Sequence, residues 1–310
     1  MSSSASVVRK FIIFCLLACA PGVQAQMANP EDVEVKVIPL APNIDVLMGI
    51  GGNIAVSSGS DGVFIIDDDV QPMSAKIGAA VAALSDQPIR IVFNTHWHFD
   101  HTGGNEFVGN AGATIIAHDN VRARMSSEQK SAFFESVTPP SPAIALPVIT
   151  FNDTATFHLN GNTIRAMHVP PAHTDGDSIL FFEEQNIVHL GDVFFNRMYP
   201  FIDIDSGGSV TGMIAAVDLI IPMLNARTRI IPGHGPVGTL EDLQTYRAML
   251  VTVSARIRGL IEEGKSREEV IALKPTQEFD GVWAWSLLPA ERWVGLVYDS
   301  LVAGGIKASR

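Results

Sequence analysis

The segment Asn94-Thr95-His96-Trp97-His98-Phe99-Asp100-His101 places four side chains able to bind a metal within six residues. It follows Ile89 to Thr95, a run rich in β-branched and aromatic residues, which is the pattern of a strand buried on both faces. At such a strand end His96 and His98 share one face by alternation. Asp100 and His101 reach around the turn, so all four side chains can converge on a small volume. Imidazole and carboxylate donors without thiolate suit zinc first, with iron or manganese as the alternatives. Thiolate is excluded by position, because the two cysteines, Cys15 and Cys19, both lie in the first 20 residues.

The elements that must hold this cluster are legible around it. Short β-like runs at Val33 to Ile38, Asp45 to Met48, Asn53 to Ser57 and Val63 to Asp67, separated by Gly, Asn, Ser and Pro, predict an antiparallel meander. Pro72 opens a helix reaching Leu84. Thr114 to His118 reads as a strand, with a helix starting near Asp119. Residues 126 to 148 hold four prolines beside Phe133 and Phe134, which reads as a long loop or short helix whose aromatics could cover a pocket. Further strands are expected at Ala155 to Leu159, Thr163 to Val169, Ile179 to Glu183, Asn186 to Leu190 and Arg229 to Ile231, with Asn160-Gly161 as a hairpin turn. Helices are expected at Val210 to Leu224 and Leu240 to Glu263. Thr239 with Asp242, and Ser266 with Glu269, form capping-box patterns. Each half runs strands first and helix after, the order expected of packed sheets with helices outside, an α+β class.

The whole chain sets further bounds. At 310 residues with 47% hydrophobic and 17% charged residues it is a globular sequence, and residues 33–310 read as one domain with no disordered linker. The formal charge of −12 argues against nucleic acid as a partner, and a small-molecule substrate is expected. Arg9 and Lys10 precede an apolar run from Phe11 to Ala20, followed by Val23-Gln24-Ala25. This predicts a signal peptide over residues 1–25, a short tail over 26–32, and export to the periplasm or medium with Gln26 as the first mature residue. Leu16-Leu17-Ala18-Cys19 offers the competing reading of a lipid anchor on Cys19. No integral membrane span is expected.

The motif His96-x-His98-x-Asp100-His101 resembles the signature of the metallo-β-lactamase superfamily, and further pieces follow in that family's order. His173 stands in Ala172-His173-Thr174-Asp175-Gly176-Asp177-Ser178, Asp192 in Leu190-Gly191-Asp192, and His234 in Pro232-Gly233-His234-Gly235. The resemblance implies a four-layer αββα sandwich with its site at the sheet edges. It also implies two zinc ions: the first held by His96, His98 and His173, the second by Asp100, His101 and His234, with Asp192 bridging both. A bridging hydroxide, formed because two cations lower the pKa of shared water from 15.7 toward about 7, would then be the nucleophile, with Asp100 and Asp192 as its catalytic carboxylates. Asp67 matches the family's strand-end aspartate and is a candidate for orienting the ligand loop. Its plainer reading is a turn former in the run Asp67, Asp68, Asp69.

His118, His158, His168 and His189 fall outside these motifs and read as structural or surface residues. Arg197 and Tyr199, in the aromatic segment after Asp192, are candidates for holding substrate. The fold does not choose the substrate. The reading is an exported zinc hydrolase acting on an ester, thioester, lactone or amide-like bond. The alternatives are a β-lactamase and a non-hydrolytic metal-binding or redox protein on the same fold. Lactamases of the best-known subclasses use a cysteine ligand, which residues 26–310 lack, and no Lys/Arg cluster near the C-terminus suggests a glutathione carboxylate site.

Overall fold

The computed structural model describes residues 29–307. The signal peptide over 1–25 and Cys19 lie outside them. Of the expected tail, the part from Asn29 is described, and it is tied down: Lys76 Nζ donates to the carbonyls of Pro30, Glu31 and Val33 at 2.8–2.9 Å.

The strands are β1 (Lys36–Ala41), β2 (Ile44–Met48), β3 (Ile54–Ser57), β4 (Val63–Ile66), β5 (Ile89–Asn94), β6 (Thr114–His118), β7 (Gln129–Ser131), β8 (Ser136–Thr138), β9 (Ile149–Phe151), β10 (Thr154–Leu159), β11 (Asn162–His168), β12 (Ser178–Phe182), β13 (Ile187–His189) and β14 (Arg229–Ile231). The helices are α1 (Ser74–Leu84), α2 (Phe99–Thr102), α3 (Asn105–Asn110), α4 (Asp119–Met125), α5 (Val210–Ile220), α6 (Leu240–Glu262), α7 (Arg267–Ala272), α8 (Asp280–Trp283) and α9 (Ala290–Ala303). A seven-stranded sheet runs in the order β1-β2-β3-β4-β5-β6-β9, and a five-stranded sheet in the order β10-β11-β12-β13-β14. The meander β1 to β4 is antiparallel as expected, whereas β4-β5-β6-β9 and β13-β14 pair in parallel.

Alternation along the strands builds the layers. Val46, Ala55, Phe64, Ile66, Phe93 and Ile116 of the first sheet meet Ile164, Ala166, Leu180, Phe182 and Ile231 of the second. The opposite faces point outward: Leu47, Val56, Ile65, Val92 and Ile115 bury against Ile77 and Val81 of α1 and Val108 of α3. Ile179, Phe181, Val188 and Ile230 bury against α5, α6 and α9. The order is therefore helix, sheet, sheet, helix.

Local chemistry accounts for most boundaries. Thr239 and Ser266 close both capping boxes, and Asn160 and Gly161 take φ of 55° and 73°, the left-handed pair a tight hairpin turn needs. The helix expected to reach Leu224 ends at Ile220, where Pro222 turns the chain into a 3₁₀ turn, Ile221–Met223. Residues 126–148 differ more from expectation. They contain the two-stranded hairpin β7-β8, with Phe133 and Phe134 in its connection, and lead into edge strand β9. No long apolar alternation marked these three-residue strands.

Candidate metal centre

The seven residues named from the sequence come from four separate segments. His96, His98, Asp100 and His101 follow β5, His173 lies between β11 and β12, Asp192 follows β13, and His234 follows β14. Three of these segments leave the carboxyl ends of parallel strands, the edge where α/β sheets place their ligands.

The side chains form two groups. In the first, His96 Nε2 lies 3.1 Å from His98 Nδ1, His173 Nε2 lies 2.8 Å from the same atom, and Asp192 Oδ2 is 3.4 Å from His173 Nε2. In the second, His101 Nε2 is 3.3 Å from His234 Nε2, and Asp100 Oδ2 is 3.2 Å from His234 Nε2. Asp192 joins them, with Oδ1 at 3.1 Å from His101 Nε2 and 3.5 Å from His234 Nε2.

The opposite ring nitrogens show why these groups fit cations. His98 Nε2 donates to Asp203 Oδ2 at 2.9 Å, His173 Nδ1 to the Phe201 carbonyl at 2.9 Å, and His101 Nδ1 to Asp67 Oδ2 at 2.7 Å. Thr95 Oγ1 donates to Asp67 Oδ2 and so accepts from His96 Nδ1 at 3.1 Å. Each outer nitrogen carries the proton, so each inner nitrogen presents a lone pair. Lone pairs of three rings packed within about 3 Å repel unless a cation sits among them. Asp192 Oδ1 is buried and makes no hydrogen bond, a state that costs free energy unless a cation or a polar ligand meets it. The donor set fits two metal ions.

The electrostatics differ between the groups. Burial pushes His96 and His173 below the ordinary imidazole value, His173 to about 4, which keeps their lone pairs free. Burial acts the same way on His234, but Asp192 and Asp100 outweigh it and raise His234 to about 9, and the carboxylates around His101 raise it as well. This half of the centre attracts positive charge, and a divalent cation supplies it better than protons.

The aspartate run does more than turn the chain. Asp67 takes a left-handed φ of 64° at the end of β4, and its carboxylate receives the Thr95 N–H at 2.7 Å as well as His101. Asp68 accepts from the Gly104 N–H, and Asp69 accepts from the Gly51 and Ile50 N–H groups. The ligand loop is thus held from both sides. Gly233 shows how closely the backbone is fitted, since a Cβ there would come within 1.9 Å of Asp192 Oδ1.

The two named substrate candidates are not in the cavity wall. Arg197 is exposed, at φ 61°, and outside the cavity lining. Tyr199 is fully buried, stacked on Trp293 at 4.0 Å with its hydroxyl on Asp280, because an aromatic run there fills the core under α9. Its carbonyl accepts from Trp285 Nε1 at 3.0 Å, so Tyr199 supports the wall from behind. The four remaining histidines stay out of the ligand groups. His118 and His168 stack at 3.8 Å, His158 is exposed, and His189 accepts the Gly191 N–H that shapes the turn before Asp192.

Asp203 was not legible in the sequence. It sits 105 residues from the ring it holds, and no local motif marks it. Burial works against its charge, but the His98 hydrogen bond holds the carboxyl below its ordinary value. Asp203→Asn is expected to weaken metal binding at the first group by about 10- to 100-fold, the usual cost of losing an orienting partner, as read by zinc titration. Unchanged affinity would remove Asp203 from the centre.

Beside the centre lies a cavity of about 630 Å³, bordered by His98, Asp100, Asp192 and His234 and by aromatic rings. A model of the metallo-beta-lactamase superfamily matches residues 55–249. Among curated proteins, the chain is 24% identical over 223 residues to the lactamase-like protein aptB of Emericella nidulans, covering 67% of this chain and 62% of that one. It is 25% identical over 166 residues to a hydroxyacylglutathione hydrolase of Nitrosococcus oceani, spanning 53% of this chain and 56% of that protein. The chain thus spans about three fifths of these relatives. Solved structures of the same fold include a metallo-beta-lactamase from Pontibacter korlensis, with TM-score 0.59 and 16% identity over 70% of this chain and 99% of that one. Another is the sec-alkylsulfatase Pisa1 from Pseudomonas sp., with TM-score 0.60 and 16% identity over 87% of this chain and 51% of that one.

Proposed function

The chain belongs to the metallo-β-lactamase superfamily, and from that premise we propose that it is an exported, zinc-dependent hydrolase of an ester, thioester, lactone or amide-like bond. The observation that carries the reading is the meeting of inward imidazole lone pairs on a buried carboxylate with one orphaned oxygen.

The first metal would be held by His96, His98 and His173, the second by Asp100, His101 and His234, with Asp192 shared. Bound there, two zinc ions supply Lewis acidity toward the substrate oxygen and a nucleophile from water at neutral pH. The protein's own residues do the positioning. Asp100 Oδ2 and Asp192 Oδ1 both face the space between His101 and His234, where they can accept hydrogen bonds from an attacking water and orient it. Asp67, Thr95 and Asp203 fix the rings. Trp97, held by Ser206 Oγ at 3.2 Å, and Phe195, stacked on His234, wall the centre from bulk water. No serine or cysteine nucleophile is needed.

The test is metal analysis of the purified protein with a hydrolysis screen over lactones, thioesters, phosphodiesters and β-lactams. About two metals per chain are expected, with turnover lost to a chelator and restored by zinc. Full turnover with one metal or none would overturn the dinuclear reading, and binding without any turnover would favour a non-hydrolytic protein. Export rests on the leader pattern of residues 9–25. N-terminal sequencing is expected to read Gln26, and a blocked Cys19 would show the lipid anchor instead.

A further inference from the structure

The cavity owes two of its walls to segments that are far apart in the chain. One is the β7-β8 hairpin, which presents Phe134 and Ser131. The other is Trp285 to Leu287, which lies with Arg292 beyond the residues the family model matches. Arg292 joins them: its Nη2 donates to the Phe133 carbonyl at 3.0 Å and its Nη1 to the Leu287 carbonyl at 3.2 Å. Its guanidinium lies 3.9 Å over the Phe133 ring. Asp205 accepts the Ala132 N–H at 2.7 Å and anchors the same hairpin. The rings of Phe133 and Phe134 rest on Phe201 at 5.0 and 5.1 Å, which places the hairpin over the metal centre.

The charges around this cavity are already engaged. Among the described residues Arg124 is the one Lys or Arg that lines the cavity, and Asp175 takes its Nε and Nη2, each at 2.7 Å, while Gln129 takes Nη1. An anionic group could bind there only by breaking a bidentate pair. Asp203 is bonded to His98 and to the Ser206 N–H, so a cationic group finds no free acid beyond the metal-ligating carboxylates. Elsewhere the wall is largely aromatic and aliphatic, with Phe134 and Phe99 exposed by 40% and 58%. A volume of about 630 Å³ falls in the roughly 300–1,000 Å³ range of small-molecule sites.

We propose that this cavity binds an uncharged, apolar arm of the substrate between Phe134 and the Trp285–Leu287 wall, with Arg292 as the positioning residue that sets the gap. The proposal builds on the hydrolase reading above and names the substrate class of that site. A glutathione-like arm, with its two carboxylates, meets no uncommitted Lys or Arg among the described residues of this wall.

The experiment uses the zinc-loaded full chain and two readouts. The first is binding of a neutral naphthylamine dye, whose fluorescence rises in an apolar site and which requires no turnover. The second is kcat/KM for p-nitrophenyl esters of increasing acyl length, beside the same esters ending in a carboxylate. Each added methylene is expected to raise kcat/KM about threefold through KM until the cavity is filled, and a terminal carboxylate to lower it at least about 10-fold. Dye affinity should fall about 10-fold in Phe134→Ala, whose half-exposed site tolerates truncation, and in Arg292→Ala. Arg292→Lys should recover part of it, since an ammonium keeps the contact with the Phe133 ring but cannot reach both carbonyls. Dye binding with this dependence but no cleavage of these esters or of the lactones, thioesters and β-lactams of the screen would uphold the pocket and defeat the hydrolase reading. Ester cleavage indifferent to acyl length and to the carboxylate, with dye affinity equal in all variants, would overturn the pocket and leave the hydrolase reading intact.

Discussion

Asp192→Ala is expected to leave at most one metal per chain and to lower turnover by about 1,000-fold or more, above the roughly 100-fold cost of losing an orienting partner. The carboxylate faces both groups, Oδ2 toward His96 and His173 and Oδ1 toward His101 and His234. Burial raises its pKa, but four histidines pull it well below the ordinary value, so it carries full charge at any working pH. Removing it deletes one donor from each site and takes away the buried carboxylate oxygen that His101 and His234 share. Elemental analysis beside steady-state kinetics reads the result. A variant that keeps two metals and a tenth of its turnover would defeat the shared-ligand assignment. His118→Ala is the control, expected to keep both metals because its ring stacks on His168 and caps α4.

Asp100→Asn is expected to lower kcat by about 100-fold or more while the fold and the first metal group persist. Asparagine keeps the shape of the side chain and removes the charge that His234 meets at 3.2 Å. Burial alone would raise the Asp100 carboxyl, but His101 and His234 hold it below the ordinary carboxylate range. The wild-type group is therefore ionised throughout the neutral range, and the loss should be equally deep from about pH 5 to pH 9, with no new pH limb. Asp67→Asn, at a carboxylate that meets Thr95 and the outer nitrogen of His101, should cost less, about 10- to 100-fold. Equal turnover in wild type and Asp100→Asn would remove that residue from the chemistry.

Much of this was readable because the information was local. His96, His98, Asp100 and His101 sit within one turn of a strand end, so alternation and chain reach suffice to bring them together. The later pieces at His173, Asp192 and His234 were located by their motif context rather than by derivation. Asp67 was ambiguous in sequence because a turn-forming aspartate and a ring-orienting aspartate look alike; here it is both. The hairpin at 129–138 stands where the sequence reads as a long loop or short helix, because strands of three residues carry no periodic signal.

Tyr199 and Arg197 show the limit from the other side. An aromatic and a cation just after a ligand motif suit a substrate wall, yet the chain turns Tyr199 onto Trp293, and the wall is built by Trp285 from 86 residues downstream. Asp203 and Arg292 act over 105 and 159 residues. The sequence by itself determined most element types, the packing of sheets with helices outside and the donor atoms available to metal, because these depend on periodicity and residue chemistry within a few positions. Tertiary structure alone decided which ring nitrogen points inward, which acid holds it there and which side chains face the substrate, because those depend on the packing of segments a hundred residues apart.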